Sequence, residues 1–113
     1  MILSYKPKRL GKNVADLSAI KKNYGTMAKE VNTRINELTH ATSLEDMRFL
    51  PKANCHELSQ NLEGHLAVDV STNHRIIFKP ANDPIPLKAD GGLDWTKVTE
   101  VTIIEIAYDY HKK

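Results

Sequence analysis

The chain has 113 residues, 41% of them hydrophobic and 27% charged, with a formal charge of +2. That is the length of one domain, residues 1–113, with enough apolar surface for a core, which excludes a disordered polypeptide and a two-domain protein. The lone cysteine, Cys55, excludes an intramolecular disulfide framework. No apolar leader follows Met1 and no stretch nears the roughly 18 apolar residues of a membrane span, so the expectation is a cytoplasmic protein with no membrane association.

Met1–Tyr5 suits a short edge strand. Lys6, Lys8, Arg9 and Lys12 follow with no acid among them, and Lys21 and Lys22 lie close behind. Such a cluster is either a solvated surface or a contact for a polyanion, and a net charge this mild does not choose between them. Asn13, with Asp16 three residues on, reads as a helix start. Val14, Leu17, Ile20 and Tyr24 recur at helical spacing, and Gly25 suits the left-handed residue past the helix end. Thr26 then caps a second helix with Met27, Val31, Ile35 and Leu38 on one stripe, Lys29, Glu30, Arg34 and Glu37 outward, and His40 at the C-terminal end. Ser43 with Asp46 starts a further short turn before Pro51.

From Gly64 the period changes from helical to two. Leu66, Val68 and Val70 alternate with Ala67, Asp69 and Ser71, then Ile76 and Phe78 alternate with Arg75 and Ile77, and Ser71-Thr72-Asn73 marks the turn between. Placing Leu66 and Val68 on the face of Ile76 and Phe78 requires an odd loop, which predicts three residues at 71–73 and sets Arg75 opposite Asp69, away from the apolar face. That face is then open to a ligand, with Arg75 either in a cross-strand ion pair with Asp69 or available to phosphate. Pro80 to Thr96 reads as a long irregular connection. Trp95 within it is expected to be partly buried.

The run Val101–Ala107 reads as a strand buried on both faces, tying down the end Tyr108-Asp109-Tyr110-His111-Lys112-Lys113. A held His111 can move protons near neutral pH, with Asp109 or Tyr110 orienting it and the lysines attracting phosphate; the alternative is an ordinary polar tail. His56 adjoins Cys55, but neighbours on an extended segment point apart, and Cys55 suits a buried small residue. His65 and His74 flank the hairpin. No paired-cysteine or His-x-x-x-His spacing and no glycine-rich phosphate loop is present, so no metal or nucleotide cofactor is expected. The elements in order give an α+β domain, an N-terminal helical hairpin packed on a twisted antiparallel β-sheet.

The stretch Cys55-His56-Glu57-Leu58, Asn61 through Phe78 and the terminal Asp109-Tyr110-His111 resembles the HigB branch of the RelE/ParE toxin superfamily. The matching features are a His-x-Leu element, an acidic-Gly turn, a hairpin carrying Arg-Ile-x-Phe and a final Asp-Tyr-His. The resemblance implies a RelE-like fold and a metal-independent, ribosome-dependent endoribonuclease that cuts messenger RNA. It further implies silencing by a HigA-like helix-turn-helix antitoxin, with operator DNA bound only through that partner. By resemblance His111 is the general acid or base, Arg75 stabilises phosphate charge, Tyr110 positions or stacks on the nucleotide, Asp109 orients its neighbours and His56 is a second proton-transfer group. Lys6, Lys8, Arg9 and Lys12 become the RNA-contacting surface. The chain departs from the family at Ser59, where a lysine is common, and in the length of the 80–96 connection. A binding relative without catalysis, gyrase-inhibiting or acting only through its antitoxin, is the alternative of a different class.

Overall fold

The computed structural model describes residues 1–109; the expectations for Tyr110 and His111 lie outside the described residues. Ile2–Tyr5 form β1, Arg9–Asn13 α1, Leu17–Tyr24 α2 and Ala28–His40 α3. His56–Glu57 form β2, Leu66–Asp69 β3, His74–Pro80 β4 and Glu100–Asp109 β5. The strands make one five-stranded sheet in the order β1-β5-β4-β3-β2. Every neighbour is antiparallel except β1, which runs parallel to β5. The α+β architecture is as expected, with this one parallel edge as an addition.

The first helix starts later than its spacing predicts. Asp16, not Asn13, is its cap: Asp16 is extended and its Oδ1 accepts from Ala19 N at 2.8 Å, while Asn13 closes the separate α1. Gly25 takes φ +54 at the end of α2, and a single turn of 3-10 helix, Gly25–Met27, leads into α3. No side chain caps that start, so the role expected of Thr26 is not filled. Val31, Ile35 and Leu38 are buried along the expected stripe. Arg34 is the exception to the outward set, only 7% exposed. Its Nε donates to Asp69 O at 2.7 Å and its guanidinium pairs with Glu37 at 2.9 Å, which links α3 to the end of β3.

The β3–β4 hairpin has the predicted register. Leu66 pairs with Phe78, Val68 with Ile76 and Asp69 with Arg75. Val70 N donates to His74 O at 2.9 Å, closing a three-residue loop at 71–73. Leu66, Val68, Ile76, Phe78, Val101, Ile103 and Ile106 join Ile20, Val31, Leu38, Leu44 and Met47 in the core between sheet and helices. β5 is not buried on both faces: Val101, Ile103 and Ile106 are buried, whereas Glu105 is exposed. The strand has a neighbour on either side in the sheet, but only its helix side meets a second layer.

The connection from 81 to 99 is irregular but tied down. Asn82 Oδ1 accepts from the backbone of Thr99 and Glu100, and Leu87 bridges to Leu93. Trp95 is more buried than expected, 5% exposed, with Nε1 donating to Glu57 at 2.9 Å and the Arg48 guanidinium 3.9 Å above its ring. Among the described residues no helix is long and apolar enough to cross a membrane.

Candidate functional site

Side chains alternate across a strand, so the residues between the core positions define the second face of the sheet. The register aligns His56, Ala67 and Ile77 in one row across β2, β3 and β4, and Asp69, Arg75 and Tyr108 in the next across β3, β4 and β5. Ala67 and Ile77 are buried at 0% and 2% exposure yet stand outside the core cluster. The middle of this face is therefore covered, and chemistry falls to its half-buried rim, where His56, Arg75 and Tyr108 lie.

Arg75 owes its setting to an irregularity. Between Arg75 and Phe78 the β4–β5 ladder shifts register twice, and Ala107 in the bulged strand takes φ +59. A left-handed residue other than glycine is costly, and bulges of this kind turn the side chains beyond them. Beyond this one, Tyr108 comes opposite Arg75 and Asp109 opposite His74. Successive residues point to opposite faces, so Arg75 and Tyr108 share the second face while His74 and Asp109 share the other. His74 Nε2 lies 3.8 Å from Asp109 Oδ2, and its Nδ1 lies 2.8 Å from Ser71 Oγ.

His56 Nδ1 lies 2.7 Å from the Asn54 carbonyl, which suits an Nδ1–H donor and leaves Nε2 with a lone pair. Asn54, at φ +46, also donates through Nδ2 to Asp69 Oδ2 at 3.1 Å. The neighbouring Cys55 is partly buried, and burial pushes its thiol up to about 12, so it is not a nucleophile near neutral pH. His56 and Arg75 stand on the same face two strands and one row apart, roughly 12 Å between Cα atoms at ordinary sheet spacings.

The parallel edge places the basic segment beside β5, at the sheet edge opposite His56. Tyr5 pairs with Ile103, and Lys6 N donates to Ile103 O at 3.0 Å. The chain leaving β1 therefore heads toward the sheet end that carries Tyr108 and Asp109. Lys6, Lys8, Arg9 and Lys12 are all exposed there. Gly11 lets α1 close on β1, since a Cβ at this position would come within 3.1 Å of the Tyr5 ring. Burial raises the phenol of Tyr5, and burial together with the Glu105 carboxylate raises that of Tyr24, with Asn13 acting in the opposite direction.

Three contributors escaped the sequence reading. Helical spacing points Arg34 outward, although an arginine on the edge of an apolar stripe is a weak sign of burial. Tyr108 gave no signal before the bulge was known. His74 could be seen only as a residue flanking the turn. Among the described residues no cluster of His, Cys, Asp and Glu is arranged to hold a metal.

No protein-family model matches the chain. No curated protein sequence matches it either. Solved structures do. The chain is similar to a YoeB/ParE toxin from Agrobacterium tumefaciens, at TM-score 0.52 and 12% identity, over 97% of this chain and all of that one. It is similar to the YoeB dimer from Staphylococcus aureus, at TM-score 0.53 and 16% identity, over 97% of this chain and 98% of the other. A YoeB–YefM complex from Staphylococcus aureus matches at TM-score 0.52 and 15% identity with the same coverage. The fold is that of the YoeB/ParE-type toxins, matched along nearly the whole chain.

Proposed function

We propose that the chain is the toxin of a toxin–antitoxin pair, a HigB-type endoribonuclease that cuts messenger RNA on the translating ribosome without a metal and so arrests translation and growth. The observation that carries this reading is the position of Arg75, on the rim of the second face opposite Tyr108, at the root of the segment that continues into Tyr110 and His111. His111 follows Asp109 by two residues, at most about 7 Å of extended chain. In this reading its imidazole works beside the arginine.

Cleavage without a metal proceeds by attack of the ribose 2′-oxygen on the adjacent phosphorus. The new O–P bond forms as the bond to the 5′-oxygen breaks, leaving a 2′,3′-cyclic phosphate or its hydrolysed product. A base takes the 2′-hydroxyl proton and an acid gives one to the departing 5′-oxygen. His111 is one partner and His56, with Nε2 available, the other. Arg75 supplies fixed positive charge to the phosphorane-like transition state. Tyr110 positions the nucleotide, and Asp109 orients the segment that carries both. Lys6, Lys8, Arg9 and Lys12 hold RNA backbone beyond the β1 edge.

The partner is an antitoxin, which the YoeB–YefM complex among the similar structures supports as a class; the helix-turn-helix, HigA-like type and operator binding through it follow from the HigB resemblance. Ser59 favours a second reading, because it is exposed where a phosphate-binding lysine would stand. A non-catalytic relative, gyrase-inhibiting or acting through its antitoxin, fits that loss.

The test is induction of the intact chain, Arg75→Ala and His111→Ala, each checked for folding, with growth and messenger RNA cleavage followed together. The nuclease reading expects cuts in ribosome-bound message from the intact chain and a loss of at least about a hundredfold in each variant, in keeping with the removal of a transition-state charge or a proton-transfer group. Growth arrest without RNA cuts, or variants that stay toxic, would give the chain to the second reading.

A further inference from the structure

We propose that His74, with Ser71 behind it, is a positioning residue that pins the root of the C-terminal segment through Asp109. This deepens the nuclease reading, on which its consequence for cleavage rests; the structural part stands on geometry alone.

Three contacts in series carry the inference. The Ser71 hydroxyl oxygen accepts from Asn73 N at 3.4 Å, across the tip of the β3–β4 turn. Its O–H is then free to donate to His74 Nδ1, 2.8 Å away. An imidazole that accepts at Nδ1 carries its proton at Nε2, and Nε2 faces Asp109 Oδ2 at 3.8 Å. That spacing exceeds a hydrogen bond, so the attraction is electrostatic. The turn thus sets the tautomer, and the tautomer presents a positive edge to the carboxylate. The backbone holds the ring in place as well, since both Val70 N and Ser71 N donate to His74 O.

Location gives the contact its meaning. His74 and Asp109 form the last pair of the β4–β5 ladder, and the bulge at Ala107 lies between this pair and the regular part of the strand. A strand end beyond a bulge frays unless something holds it. The two side chains are 27% and 34% exposed, so solvent screens the contact and its share of global stability is small. A weak, local bias suffices to hold the last described pair of the strand in register. Adjacent residues of one strand then divide the labour: His74 anchors on the helix side while Arg75 faces the second face.

The test is backbone 15N relaxation on the purified chain, without RNA, for the intact protein, His74→Ala, Asp109→Asn and Ser71→Ala, with His74→Gln as the variant that keeps a donor toward Asp109. Heteronuclear NOE values at residues 108 and 109 are expected to drop in His74→Ala and Asp109→Asn, to drop less in Ser71→Ala and to recover in part in His74→Gln, while the thermal midpoint stays close to that of the intact chain. Unchanged values in His74→Ala would overturn the anchor, whatever any RNA assay gives. So would a drop spread over the whole sheet, which marks general unfolding. In ribosome-dependent cleavage, His74→Ala is expected to lower kcat by about tenfold to a hundredfold with little change in KM, the mark of a misplaced group and not of lost RNA binding. If the intact chain cuts no RNA, the nuclease reading fails and the relaxation result still judges the anchor.

Discussion

Trp95 shows how one side chain can organise a segment that sequence periodicity leaves blank. Its ring lies between the core and Arg48, and its indole N–H bonds to Glu57 on β2, so the irregular 81–99 connection is fastened to the sheet edge. Trp95→Phe keeps most of the apolar contact and loses the hydrogen bond; because Glu57 stays solvated, the cost should be about 1 kcal/mol. Trp95→Ala should cost about 3–5 kcal/mol through lost burial and the cavity left behind. Both are read from urea denaturation followed by circular dichroism, since this is the chain's single tryptophan. Equal costs for the two variants would mean that the polar contact, not the packing, holds the connection. At this scale Arg75 was legible because two apolar runs on either side of a turn admit only one parity. Arg34 was not, because helical spacing reports a stripe and says nothing of a neighbouring strand end whose carbonyl needs a donor.

Between elements, the boundary at Asn13 and Asp16 illustrates why caps mislead. Both residue types accept from helix-start amides, and only tertiary packing of α1 against β1 and β5 decides which one does so. The hairpin was readable in full, since alternation and turn chemistry are local. Neither the parallel pairing of β1 nor the β5 bulge leaves a local trace. Ala107 is the cost of that bulge. Ala107→Gly should relieve the left-handed strain and raise stability by up to about 1 kcal/mol, whereas Ala107→Val should lower it by about 1–2 kcal/mol. Urea midpoints followed by tryptophan fluorescence distinguish them, and a less stable glycine variant would show that the backbone here is not strained.

Across the whole molecule, buried weak acids set the response to alkali. Cys55 is pushed up to about 12 from an ordinary 9.0, and burial raises Tyr5 and Tyr24 as well. Well below pH 9.0 the thiol keeps its proton in both folded and unfolded chains, and nothing is lost. Above it the unfolded chain releases the proton while the folded one retains it, so stability falls as pH rises toward 12. Cys55→Ala should flatten part of this fall when urea midpoints at about pH 8 and about pH 10.5 are compared; the residual slope belongs to the two phenols. An unchanged slope would mean that the thiol is better solvated than its packing implies.

The parallel contact of β1 with β5 also orders the assembly of the protein in time. Ile2 is paired with Glu100 and Tyr5 with Ile103, partners separated by nearly the whole chain, and β5 is the strand that joins β1 to β4. During synthesis the helices and the β3–β4 hairpin emerge first, yet the sheet stays in two unconnected pieces until β5 is made. Tyr108, the partner of Arg75, arrives at the end of that same strand. A ribosome that stalls before Glu100 therefore releases a chain with no complete face to present, and whatever this surface does in the cell begins only when translation of its own message has reached the last strand.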